Sequence, residues 1–79
     1  METRYKLSSW QPDSLNGGWF RSSDDGTCIA SVNFDAGRWY AAAEHPSGKS
    51  GALLPSQPSD DLARSAADEK LREYGWELG

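Results

Sequence analysis

Ser59-Asp60-Asp61-Leu62-Ala63-Arg64-Ser65-Ala66-Ala67-Asp68-Glu69-Lys70-Leu71-Arg72-Glu73-Tyr74-Gly75 is the stretch that decides the fold. Leu62, Ala63, Ala66, Ala67, Leu71 and Tyr74 recur at helical spacing and form one apolar stripe. Ser59 offers a hydroxyl to the orphan N–H groups of a first turn, and Asp60 and Asp61 stand at the positive end of the helix dipole. Gly75 supplies a stop, because many helices end on a left-handed residue that glycine adopts freely. The reading is one acidic, amphipathic helix over 59–74. Asp60–Arg64 and Asp68–Arg72 are expected as surface i,i+4 pairs worth about 0.2–0.5 kcal/mol each. In the tail, 75–79, Trp76 and Leu78 are expected to fold back onto the core.

Upstream of the helix the pattern changes to short aromatic strands and tight turns. Thr3 to Trp10 alternates, with Tyr5 and Leu7 on one side, which predicts an edge strand. Residues 11–18 read as a loop from their Pro, Asn and paired Gly. A strand starts at Trp19, Asp25-Gly26 predicts a hairpin turn, and Thr27 to Phe34 returns. Asp35-Ala36-Gly37 predicts a three-residue turn before the strand Arg38 to Glu44. That register sets Trp19 across from Val32, Arg21 across from Ala30 and Val32 across from Tyr40. One face then carries Trp19, Val32, Phe34 and Tyr40; the other carries Phe20, Ile29 and Trp39. A slip of one residue would exchange the faces. Residues 45–58 read as a loop in which Ala52-Leu53-Leu54 plugs the sheet edge.

These elements predict a single α+β domain over 1–79: a three- to four-stranded antiparallel sheet within 3–44, with one C-terminal α-helix packed on one face. The chain is near the lower size limit for one unaided core. It has a single Ile and a single Val, and four Trp and three Tyr supply the missing apolar surface. The net charge of −4 disfavours direct binding to nucleic-acid phosphates and suits a basic protein surface. One cysteine, Cys28, allows no internal disulfide, and no stretch resembles a signal peptide or a membrane span. A cytoplasmic protein without membrane contact is expected.

No residue set amounts to a catalytic signature. Ala43-Glu44-His45-Pro46-Ser47-Gly48-Lys49-Ser50 fits the phosphate-loop string, but that motif needs a helix directly after it. Gly51, Pro55 and Pro58 do not sustain one. His45 beside Glu44 has the makings of an acid–base pair, although a loop position before Pro46 suits a solvated turn residue. Cys28 falls inside a predicted strand and is expected as a buried, inert thiol. One Cys and one His make no tetrahedral zinc site, so neither metal nor cofactor is expected. The aromatic strands lack the basic flanks of an RNA-stacking sheet and are expected in the core.

Gly37-Arg38-Trp39-Tyr40-Ala41-Ala42-Ala43, followed by Ala66-Ala67-Asp68-Glu69-Lys70-Leu71-Arg72-Glu73-Tyr74-Gly75-Trp76, resembles the strand and closing helix of small proteins encoded by phages and other mobile elements. Solitary acidic domains of this kind are similar to anti-CRISPR proteins. The resemblance implies a stoichiometric inhibitor in a bacterial host. It would bind a Cas effector complex and block DNA binding or nuclease recruitment. That family shares no diagnostic motif, so no functional residue is carried over.

The expected function is therefore non-enzymatic binding of a protein with a basic surface. Asp24, Asp25, Asp35 and Glu44 are the candidate contacts at the sheet ends, with Phe20 or Trp39 as an aromatic anchor. If the helix is the contact face, Asp61, Asp68, Glu69 and Glu73 take that role. The alternative is a small self-associating accessory module, so both a monomer and a homodimer stay open. A small enzyme using His45 and a carboxylate is the third reading.

Overall fold

The structure, a computed structural model, describes residues 5–15 and 17–78. Its elements are β1 (Tyr5–Lys6), β2 (Gln11–Pro12), β3 (Trp19–Ser22), β4 (Cys28–Asp35), β5 (Arg38–Glu44), β6 (Gly51–Leu53), α1 (Asp60–Glu73) and β7 (Trp76–Glu77). Strands β2 to β6 form an antiparallel sheet in chain order, and β1 pairs in parallel with β7. The fold is α+β with its helix at the C-terminal end, and the sheet has five strands rather than three or four. The extra strands lie in segments read as loops: β2 pairs Gln11 with Phe20, and β6 pairs Ala52 with Ala43. The expected N-terminal edge strand is instead the short β1, laid against the chain's other end; Thr3 falls outside the described residues.

Two local irregularities set which side chains face the helix. Between Arg21↔Ala30 and Ser22↔Cys28 the register shifts, leaving Ile29 as an extra residue on β4. Ile29 and Ala30 are consequently both buried although adjacent. The second irregularity corrects the predicted register. Asp35 pairs with Arg38, so the turn is the two residues Ala36-Gly37, with φ of 50° and 81°. Positive φ at both positions gives the hairpin turn whose twist matches its strands. The pairing is one residue away from the prediction, Val32 lies across from Ala41, and β5 turns over. Trp39, Ala41 and Ala43 face the helix; Tyr40 and Ala42 lie on the open face.

Helix α1 lies over β5 and β4. Ser59 accepts the N–H of Leu62 at 3.3 Å, Tyr74 is the C-cap, and Gly75 follows with φ 95°. Ala63, Ala67 and Leu71 are fully buried. The small side chains of Ala63 and Ala67 let the helix approach Val32, Ala41, Trp10, Trp19 and Trp39. Leu62, expected in the stripe, is half exposed at the helix start. Trp76 is buried with Leu7, Ile29 and Leu71, as the fold-back of the tail requires, and its indole donates to Glu44 O at 2.8 Å.

Candidate functional site

Two acidic residues expected on the helix surface are part-buried against the sheet. Arg21 alternates with Trp19 on β3, so it points at the helix and is only 4% exposed. A buried guanidinium needs a counter-charge. Asp68 provides it: Arg21 Nε donates to Asp68 Oδ1 at 3.1 Å and Arg21 Nη1 donates to Ser8 O at 2.7 Å. Trp10 Nε1 donates to the same Asp68 oxygen at 3.0 Å, and the guanidinium stacks 4.9 Å from the Trp10 ring. Two helical turns earlier the same three residue types meet again. Trp19 Nε1 donates to Asp60 Oδ2 at 3.0 Å, Arg64 pairs with that oxygen at 3.3 Å, and Arg64 stacks 4.3 Å from the Trp19 ring. Asp68 thus turns inward to Arg21 instead of pairing with Arg72, which removes it from the helix's outer face.

The remaining helix candidates differ in freedom. Asp61 is exposed and pairs with Arg64; Glu73 is exposed and lies 3.3 Å from Lys70; Glu69 is exposed. Asp35 is exposed at the end of β4, just before the Ala36-Gly37 turn. It is removed from Cys28 at the other end of β4 by about 24 Å at ~3.4 Å per residue. Asp35 therefore shares no compact footprint with the acidic residues at that far end.

Those far-end residues do converge. Asp24 and Asp25 from the β3–β4 turn, Glu44 from the end of β5, and Tyr5 and Lys6 from β1 line one open groove of about 690 Å³. Trp76 and His45 form part of its wall. Three carboxylates face one lysine, so the groove is acidic. Its shape comes from the chain ends: β1 can lie beside the β3–β4 turn because it pairs with β7, and Tyr5 stands edge-on to Trp76 at 5.7 Å. Tyr5 remains 45% exposed and is the aromatic available at this groove. The anchor candidates lie elsewhere. Phe20 is half-buried on the open face, and Trp39 is half-buried on the helix side against Phe34, the face opposite to the one expected.

The groove's acidic character is fixed locally at its turn. Asp25 accepts from the Ser23 hydroxyl and the Thr27 N–H, which hold its carboxyl down at about 2 from an ordinary 3.8. Its charge therefore persists through any physiological pH. Cys28 opens β4 and is exposed rather than buried, yet desolvation, then Asp13 and Glu44, push its thiol up. That suppresses the thiolate a nucleophile needs. His45 Nδ1 lies 3.1 Å from the Ser47 N–H and 3.0 Å from the Ser47 hydroxyl, and the ring rests 5.0 Å from Tyr74. The phosphate-loop string is a hairpin: His45 N–H donates to Ser50 O, and β6 follows where a phosphate site needs a helix. Among the described residues, no three His, Cys, Asp or Glu side chains gather to hold a metal ion. No described helix is long and apolar enough to cross a membrane.

No family model matches the chain, and no similar curated protein or solved structure was found.

Sequence reasoning named Asp24, Asp25 and Glu44 but missed Tyr5 and Trp76 beside them. The parallel pairing of chain ends has no local signature. The signal that was present is the apolar Trp76 directly after the Gly75 stop.

Proposed function

We propose that the chain is a non-enzymatic binding protein that docks its acidic groove, built by Asp24, Asp25 and Glu44, on a basic surface of a protein partner. The supporting observation is the convergence of a turn and a strand end on one open groove, with the exposed Tyr5 ring beside them. Potentials of opposite sign steer such encounters and fix their orientation. A surface that holds nucleic-acid phosphates is basic, so an acidic groove is complementary to it. With the resemblance to anti-CRISPR proteins, this directs the partner to a Cas effector complex in the cytoplasm of a bacterial host. Occupation of its basic surface would block DNA binding or nuclease recruitment. The raised Cys28 thiol and the engaged His45 Nδ1 favour binding over catalysis.

Titration of purified effector complexes with the chain tests this reading. A one-to-one complex weakened by salt and by Asp24→Lys with Glu44→Lys is expected. A complex indifferent to both changes would reject the acidic groove as the contact.

A further inference from the structure

The five-stranded sheet ends on β6, with no described strand on its outer side. The antiparallel alternation fixes which backbone groups β5 uses. His45 N–H donates to Ser50 O, and Leu54 N–H donates to Ala41 O, each at 2.9 Å. Ser50 and Leu54 thus face β5, and so does Ala52 between them, opposite Ala43. The N–H and C=O groups of Gly51 and Leu53 point the other way, out of the sheet. Exposed edges are commonly guarded by charge, proline or cover. The opposite edge, β2, carries Pro12. β6 itself carries neither proline nor charge, and no residue from Ser50 to Ser59 is charged; its guards are its length of three residues and Pro55 just beyond it. The Leu53 side chain is 89% exposed beside Ala42 and near Tyr40 on the open face.

We propose that β6 pairs antiparallel with β6 of a second copy of the chain about a two-fold axis at Ala52. In that register Gly51 of each copy lies opposite Leu53 of the other. The residues whose backbone groups point outward then meet each other, and each pair exchanges both of its N–H···O bonds. Three features select a second copy as the occupant. The register is self-complementary, as a two-fold contact requires. Leu53 falls beside a residue with no side chain, so nothing crowds it. The two bodies, each carrying −4, meet at the longest uncharged stretch of the chain, where their repulsion is least. Pairing joins the two sheets into one through Gly51 and Leu53, which do not line the acidic groove, so it does not depend on the function of the groove.

Sedimentation of the whole chain from micromolar to millimolar concentration tests the proposal, with amide exchange as the local readout. The mass is expected to rise from one chain to two, with the Gly51 and Leu53 amides slowing only in the dimer. Leu53→Pro removes an outward N–H and leaves the bonds to β5 in place, so it should weaken the dimer by about tenfold or more. Leu53→Lys changes only an exposed side chain, keeps the fold testable if the proline variant fails to fold, and should also weaken the dimer. A wild-type chain that stays single at millimolar concentration would overturn the proposal. So would a dimer that both variants leave at full strength.

Discussion

Asp68 on the helix and Arg21 on the third strand meet at 3.1 Å, and their contact ties the helix to the sheet. Arg21 is almost fully buried, and Asp68 neutralises it while also accepting from Trp10. A buried pair contributes little net stability against an apolar substitute, but removing one partner strands the other charge.

Asp68→Ala should therefore destabilise the chain by about 3 kcal/mol, measured by urea unfolding. Glu69→Ala, one residue along on the exposed side, should change stability by less than about 0.5 kcal/mol. Arg21→Met combined with Asp68→Leu should recover most of the loss. Equal effects of the Asp68 and Glu69 changes would show that the pair has no structural role.

The sequence carried enough to place this pair, but only once the register was known. Trp19 and Arg21 alternate on one strand, so a core-facing Trp19 demands a core-facing Arg21 and a helix acid to meet it. The period of the helix and the Ser59 cap were legible because they are local. The Trp19–Val32 register agrees with the reading only because Ser23 and Thr27 close a three-residue turn, not the two-residue Asp25-Gly26 turn, and the extra Ile29 restores the offset. The β4–β5 register was not legible. A three-residue turn spares Ala36 a left-handed conformation, and the chain adopts that conformation nonetheless. That single residue moved Trp39 to the helix side and Tyr40 to the open face. The groove was legible in its acids and hidden in its walls, since β1 and β7 come from opposite ends of the chain.

Ala36 holds φ 50°, a region that costs an L-residue about 1–2 kcal/mol and glycine nothing. Ala36→Gly should stabilise the chain by about 1 kcal/mol after glycine's greater freedom in the unfolded state is offset. That corresponds to a rise in Tm of about 4–8 °C for a domain of this size. A fall in Tm would contradict the two-residue turn.

Asp25 gives a pH dependence of defined sign. Its carboxyl is depressed from 3.8 to about 2, first by the Ser23 hydroxyl and then by Thr27. A depressed carboxyl contributes stability that is complete above the unfolded value and is lost as pH falls through the folded one. The stability difference between the wild type and Asp25→Ala should be constant above about pH 5 and shrink towards pH 2. Urea unfolding at a series of pH values measures it. A difference that grows on acidification would contradict the turn's hydrogen bonds.

The most direct test of the central claim is phage plaquing on CRISPR-immune hosts that express the chain. Empty vector and the Asp24→Lys, Glu44→Lys variant serve as controls. The account predicts plaques restored only where the host's spacers match the phage, and lost again in the charge-reversed variant. Plaquing that stays blocked across host types, or that the variant restores as well as the wild type, would contradict it.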